Sequence, residues 1–87
     1  MLGKKKKENI IKKFATHEGD TGSPEIQVAL LSAEMDDLQE HLKTHKKDFS
    51  SRRGLLRKIS ERRRLLKYLE RESESRFNEV KKVLKIW

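Results

Sequence analysis

No cysteine occurs in this 87-residue chain, proline appears once, glycine four times, and only five residues are aromatic. Without thiols there can be no disulfides and no thiolate metal sites, as suits a protein of the reducing cytoplasm. The scarcity of turn formers, together with the absence of period-two alternation, gives no support to strands or hairpins. No stretch is long and apolar enough to span a bilayer, and none has the layout of a signal peptide. Apolar residues make up 33% of the chain against 41% charged, so any core must be thin and one small domain over residues 1–87 is expected. Amphipathic helices satisfy these limits with the fewest apolar residues, because each needs to bury only one stripe. The expectation is an all-α, four-helix protein with three antiparallel core helices and a short N-terminal helix free to move.

What the chain does have is positive charge, in one place. The net charge is +8 and the pI about 9.9. Residues 24–40 hold five acids and no base, whereas residues 41–71 hold twelve bases and three acids, a local net of +9 that exceeds the whole-chain value. Such a segment attracts polyanions, since Lys and Arg that neutralise phosphates release condensed counterions. Nucleic acid is the first candidate partner and an acidic membrane surface the second.

Taken in order, Lys4–Ala15 reads as a short helix with Ile10, Ile11 and Phe14 on one side. Its run Lys4–Lys7 reads more simply as a solvated end than as a phosphate-binding arm. The segment THEGDTGSPE is a loop, and Ser23-Pro24 is a strong helix start: the serine oxygen can accept an orphan N–H, and proline at the first position forfeits none. Glu25 suits the positive end of the helix dipole. The helix from Pro24 to Thr44 has its seam at Val28, Leu31, Met35, Leu38 and Leu42, widened by Ile26, Ala29, Leu30 and Ala33 so that its first half meets two neighbours. Glu34, Asp36, Asp37 and Glu40 lie off the seam, facing solvent or bases on the facing helix. Asp48 or Ser50 can cap a third helix running from Ser50 to Arg71, in which Gly54 hints at a close approach. The fourth helix, Glu74–Ile86, follows a cap at Ser73 or Ser75 and carries Phe77, Val80, Leu84 and Trp87, with the Trp read as a filler of core or groove.

On a wheel of roughly 100° per residue, Leu55, Ile59, Leu66 and Leu69 of the third helix share an arc. Arg53, Arg57, Arg64, Lys67, Tyr68 and Arg71 fall opposite. A charge run is usually a solvated face, but sorting of bases away from the seam, beside one of few aromatics, points to a ligand surface. Arg62 falls on the seam side and reads as a snorkelling or ion-paired residue facing the second helix. His41 and His45 have the spacing of a helical metal pair, yet no third ligand accompanies them and Lys43, Lys46 and Lys47 oppose a cation, so no metal and no cofactor are expected. Neither a nucleophile elbow nor a phosphate-loop glycine pattern is present, so no enzymatic activity is expected.

In the order THEGDTGSPE, HLKTHKKD, SRRGLL and RRRLLKYL, the chain resembles the family of the bacterial-type fifteenth protein of the small ribosomal subunit, over nearly its whole length. The resemblance implies a four-helix structural protein that binds small-subunit ribosomal RNA early in assembly of the central domain, at a three-way junction and a nearby duplex. It maps junction contacts onto Thr21, Gly22, Gln27, Tyr68 and Arg71, and duplex minor-groove contacts, at a guanine–uracil wobble, onto His41, Asp48 and Ser51. Arg53, Arg57 and Arg64 would then hold phosphates and set register. Neighbouring small-subunit proteins are implied as partners, with large-subunit RNA reached through the tip at Thr44–Lys47. The chain departs from the family pattern at Phe49 and Ser50, where histidines are usual, at Glu34, where a base is usual, and in its C-terminal VLKIW. Two other classes compete: a helical adapter whose seams pair with another protein, against which a free monomer is expected, and a DNA-binding protein.

Overall fold

The computed structural model describes residues 3–15 and 22–84. They form four helices, α1 (Lys4–Phe14), α2 (Pro24–Thr44), α3 (Phe49–Glu72) and α4 (Glu74–Leu84), with no strand among the described residues. Ser23 caps α2 as expected, its hydroxyl accepting from the Ile26 N–H at 3.4 Å with Pro24 next in line. Of the two candidate caps for α3 it is Asp48 that serves, accepting from the Ser51 N–H at 3.0 Å, so the helix begins at Phe49, one residue before the expected start. Ser73 is the whole connection between α3 and α4, and its hydroxyl accepts from the Arg76 N–H at 3.3 Å.

The α2–α3 hairpin is the frame. Its antiparallel register is set by Lys58 ion-paired to Glu34 and by Arg62, whose Nη1 donates to the Ser32 hydroxyl at 3.1 Å. Arg62 is thus drawn to α2, as the wheel suggests, but by a hydroxyl. α4 folds back so that Phe77 and Val80 join Val28, Leu66 and Leu69 in one buried cluster, with Leu65 and Leu84 packed against it. Ile26, Ala29, Leu31, Met35 and Leu38 continue the core along α2. α1 runs antiparallel along α2, with Lys6 near Asp37 at 3.5 Å, and Ile10 and Phe14 beside Ala29 and Ala33. It contributes no buried residue, which leaves it the most lightly attached element. The first half of α2 therefore meets α1, α3 and α4. Its far end meets α3 alone, which is why Leu42, Leu55 and Ile59 are only half-buried.

Two readings need correction. Gly54 meets no close approach: a Cβ added there would find nothing within 4 Å. Glu25 is more than a helix-dipole complement. It is 5% exposed and takes a bidentate grip from Arg76 of α4, with Nη2 donating at 2.6 Å and Nε donating to the other oxygen. A buried carboxylate is tolerable when both oxygens are paired in this way. The site candidate Thr21 and the terminal Trp87 lie outside the described residues.

Candidate nucleic-acid interface

The site candidates fall into three groups along the hairpin. The first is the tip. Asp48 sits at the N-terminus of α3 with its Oδ2 accepting from the Ser51 hydroxyl at 2.7 Å and from His41 Nε2 at 2.8 Å, besides the cap to the Ser51 N–H. The Ser51 hydroxyl, then its N–H, then His41 hold the Asp48 carboxyl well below the usual carboxylate range. An ionised carboxylate only accepts, so His41 Nε2 must carry a proton. The His41 ring lies face to face with that of His45, 4.3 Å between centroids and 8° apart. His45 Nδ1 lies 3.2 Å from the His41 carbonyl and 2.9 Å from the Thr44 hydroxyl. The three residues nominated for a duplex groove therefore form one hydrogen-bonded unit spanning two helices.

That unit has a definite remaining valence. Asp48 has three of its roughly four acceptor positions occupied by protein donors, which restricts its freedom to meet a base. Ser51 spends its proton on Asp48 and keeps oxygen lone pairs. His41, when neutral, keeps Nδ1 as an acceptor. The tip thus offers acceptors, matching the donors of a shallow RNA groove, the 2′-hydroxyls and the guanine amino group.

The second group is the outer face of α3. Arg53, Arg57, Arg64, Lys67, Tyr68 and Arg71 are all exposed, opposite buried Leu66 and Leu69. Arg53 Nη2 lies 3.4 Å from the Ser50 hydroxyl. On the other flank three acids of α2 are engaged by lysines: Glu34 by Lys58, Asp37 by Lys6 and Glu40 by Lys43 at 3.1 Å. These pairs mute much of the acidic surface that would oppose a polyanion lying on α3.

The third group is the end away from the tip. Gln27 Nε2 donates to the Gly22 carbonyl at 2.7 Å, folding the chain ahead of Ser23 against the first turn of α2. The Arg71 guanidinium lies 5.6 Å from the centre of the Tyr68 ring. Because Val28 packs with Leu66 and Leu69, Gly22 and Gln27 share the hairpin end occupied by Tyr68 and Arg71. From Ser51 to Tyr68, α3 separates the two outer groups by about 25 Å at 1.5 Å per residue.

Three features escape sequence reasoning. Arg52 Nη2 donates to the Lys46 carbonyl at 2.7 Å, stapling the tip loop, with its guanidinium 5.6 Å from the Phe49 ring centre. Phe49 and Leu56 are exposed on α3; their places on the basic arc of the wheel were the available signal. Arg76, the partner of Glu25, lies 51 residues downstream, and no local pattern announces it. Among the described residues no group of three His, Asp or Glu side chains converges as metal ligands, and no helix is long and apolar enough to cross a membrane.

Comparison with known proteins gives a uniform result. Residues 6–87 match the family model described as ribosomal protein S15. Proteins named small ribosomal subunit protein uS15 are similar over nearly the full length. That of Nitratiruptor sp. is 55% identical over 85 residues, covering 98% of this chain and 96% of the relative. That of Limosilactobacillus fermentum is 53% identical over 83 residues, covering 95% and 93%. That of Staphylococcus carnosus is 51% identical over 85 residues, covering 98% and 96%.

Proposed function

Because this chain belongs to the ribosomal protein S15 family, we propose that it is a structural, non-catalytic protein of the small ribosomal subunit that binds subunit RNA with both ends of the α2–α3 hairpin. Three parts share the work. The His41–Asp48–Ser51 unit meets the minor groove of a duplex. Gly22, Gln27, Tyr68 and Arg71, with Thr21, meet a three-way junction. Arg53, Arg57 and Arg64 hold phosphates in between and fix register, contributing affinity that falls with salt but little sequence preference.

The observation that carries this reading is the tip unit. Asp48 is placed by its cap to Ser51 and in turn orients His41, so a groove-reading surface is preformed and needs no ordering on binding. Asp48 acts mainly by positioning, and His41 and Ser51 present the free acceptors. Burial of Val28, Leu31, Met35 and Leu38 within the chain supports a free monomer over the adapter reading. On the ribosome, neighbouring small-subunit proteins and, beyond Thr44–Lys47, large-subunit RNA complete the list of partners.

Gel-shift titration on a three-way-junction RNA tests the proposal. Affinity should drop steeply with salt, and Tyr68→Ala and Asp48→Ala should each bind the junction RNA much more weakly than wild type. Equal affinity for junction RNA, plain RNA duplex and B-form DNA would overturn it.

A further inference from the structure

Both ends of the basic face of α3 carry the same device, an aromatic ring followed three residues later by an arginine whose guanidinium lies 5.6 Å from the ring centre: Phe49 with Arg52, and Tyr68 with Arg71. Only the Tyr68 pair has a role in the reading above. From the Phe49–Arg52 pair we infer a stacking platform for an unpaired RNA base, a fourth RNA contact beside the groove-reading tip, the phosphate stripe and the junction end; the inference rests on RNA being the partner.

Three observations support it. Phe49 is 57% exposed although it is one of few aromatics in the chain, and Leu56, two turns along the same face, is 60% exposed. Neither contributes to the core, and a residue capping the start of α3 needs no aromatic neighbour, since Asp48 does the capping. Arg52 is held in place: its Nη2 donates to the Lys46 carbonyl, so the guanidinium stays beside the ring instead of sweeping through solvent. A fixed guanidinium and an aromatic ring are the two surfaces on which unstacked bases rest.

The surroundings choose the occupant. Arg53 is exposed one turn along α3, and Lys46 and Lys47 are exposed in the adjoining loop, within a segment of net +9. An apolar protein surface would have to desolvate these charges, whereas a nucleotide brings a base for the ring and a phosphate for the bases around it. On the wheel Phe49 lies well away from Ser51, so a base on Phe49 and a duplex on the tip unit do not compete.

Binding of two charge-matched probes tests the platform without a choice of RNA sequence: an adenosine RNA hexamer and an abasic ribose-phosphate hexamer. The wild-type protein should bind the base-bearing hexamer about tenfold tighter, as one stacked base suggests, with the Phe49 ring protons shifting upfield in NMR spectra. Phe49→Ala should lose most of that preference while keeping its salt dependence, and Phe49→Tyr should restore it; Tyr68→Ala isolates any share of the second ring. A wild-type preference left intact by Phe49→Ala, or Phe49 resonances that do not move, overturns the platform. So does self-association of the free protein that Phe49→Ala abolishes, because the patch then belongs to a second copy. Circular dichroism of Phe49→Ala, whose side chain is exposed, checks the fold. If junction RNA binds tightly and the hexamers bind alike, the platform alone fails; if junction RNA is not preferred to B-form DNA, the wider reading fails first.

Discussion

The two ends of the α2–α3 hairpin are held together by opposite means. At the tip, hydrogen bonds link His41 with Asp48, Asp48 with Ser51, His41 with His45 and Arg52 with Lys46, all between residues no more than seven positions apart and with little burial. At the other end, Val28, Leu66, Leu69, Phe77 and Val80 are buried together and Glu25 is gripped by Arg76 across 51 positions. One end is a local polar network, the other a long-range apolar core with a single charged lock. The difference predicts unequal shares of stability: the buried cluster at the core end carries most of the fold, and the half-exposed polar groups of the tip carry less.

The largest test of that division is Leu69→Ala. Leu69 is 1% exposed, and its truncation should cost about 3 kcal/mol in urea unfolding through lost burial and a residual cavity. Amide exchange in α3 near the tip should accelerate no more than global stability requires. Arg76→Ala comes next. It leaves Glu25 buried without its partner and should cost about 2 kcal/mol, less than the ~3–5 of a fully enclosed pair because the Arg76 side chain is 45% exposed. Restored stability in the double variant Arg76→Leu, Glu25→Gln would confirm that the stranded charge is the cause.

Asp48→Ala should reverse the pattern, leaving the core packed while RNA affinity falls about tenfold, as for one lost groove contact. If it unfolds the chain as readily as Leu69→Ala, the unequal division fails. Arg57→Ala should be gentler still, weakening binding severalfold and reducing the salt slope by about one.

The smallest effect is that of acid. The Asp48 carboxyl titrates in the folded chain well below its unfolded value of about 3.9. Its stabilising contribution is therefore fully present above about pH 4 and is lost as pH falls through the lower folded value. NMR of the Ser51 amide between pH 6 and 2 should show the cap opening only at the acid end, and Asp48→Asn should abolish the transition.

The same contrast explains what could be read from the sequence. Four helices, the Ser23 cap, the seam of α2 and the basic arc of α3 follow from spacing within single elements, and the structure reproduces them. The start of α3 is displaced by one residue because Asp48 and Ser50 are both chemically able to cap, and the additional bonds from His41 and the Ser51 hydroxyl decide between them. Glu25 reads as a dipole complement because its real partner lies on another helix. Gly54 misleads because low helix propensity has several causes, and here no neighbour crowds it. Within the candidate site, His41, Asp48 and Ser51 were legible as residues but not as one unit, since their bonding needs the geometry of the turn between α2 and α3.

The Glu25–Arg76 lock also bears on the order in which the chain is made. Synthesis proceeds from the N-terminus, so every residue of the tip network has been made once Arg52 is added, while Glu25 waits for its partner. At about 5–20 residues per second, the roughly 25 residues from Ser51 to Arg76 take on the order of 1–5 s. Over that interval the residues of the tip are all present while the base still lacks Arg76, and Phe77 and Val80, which close the core, follow within four more residues.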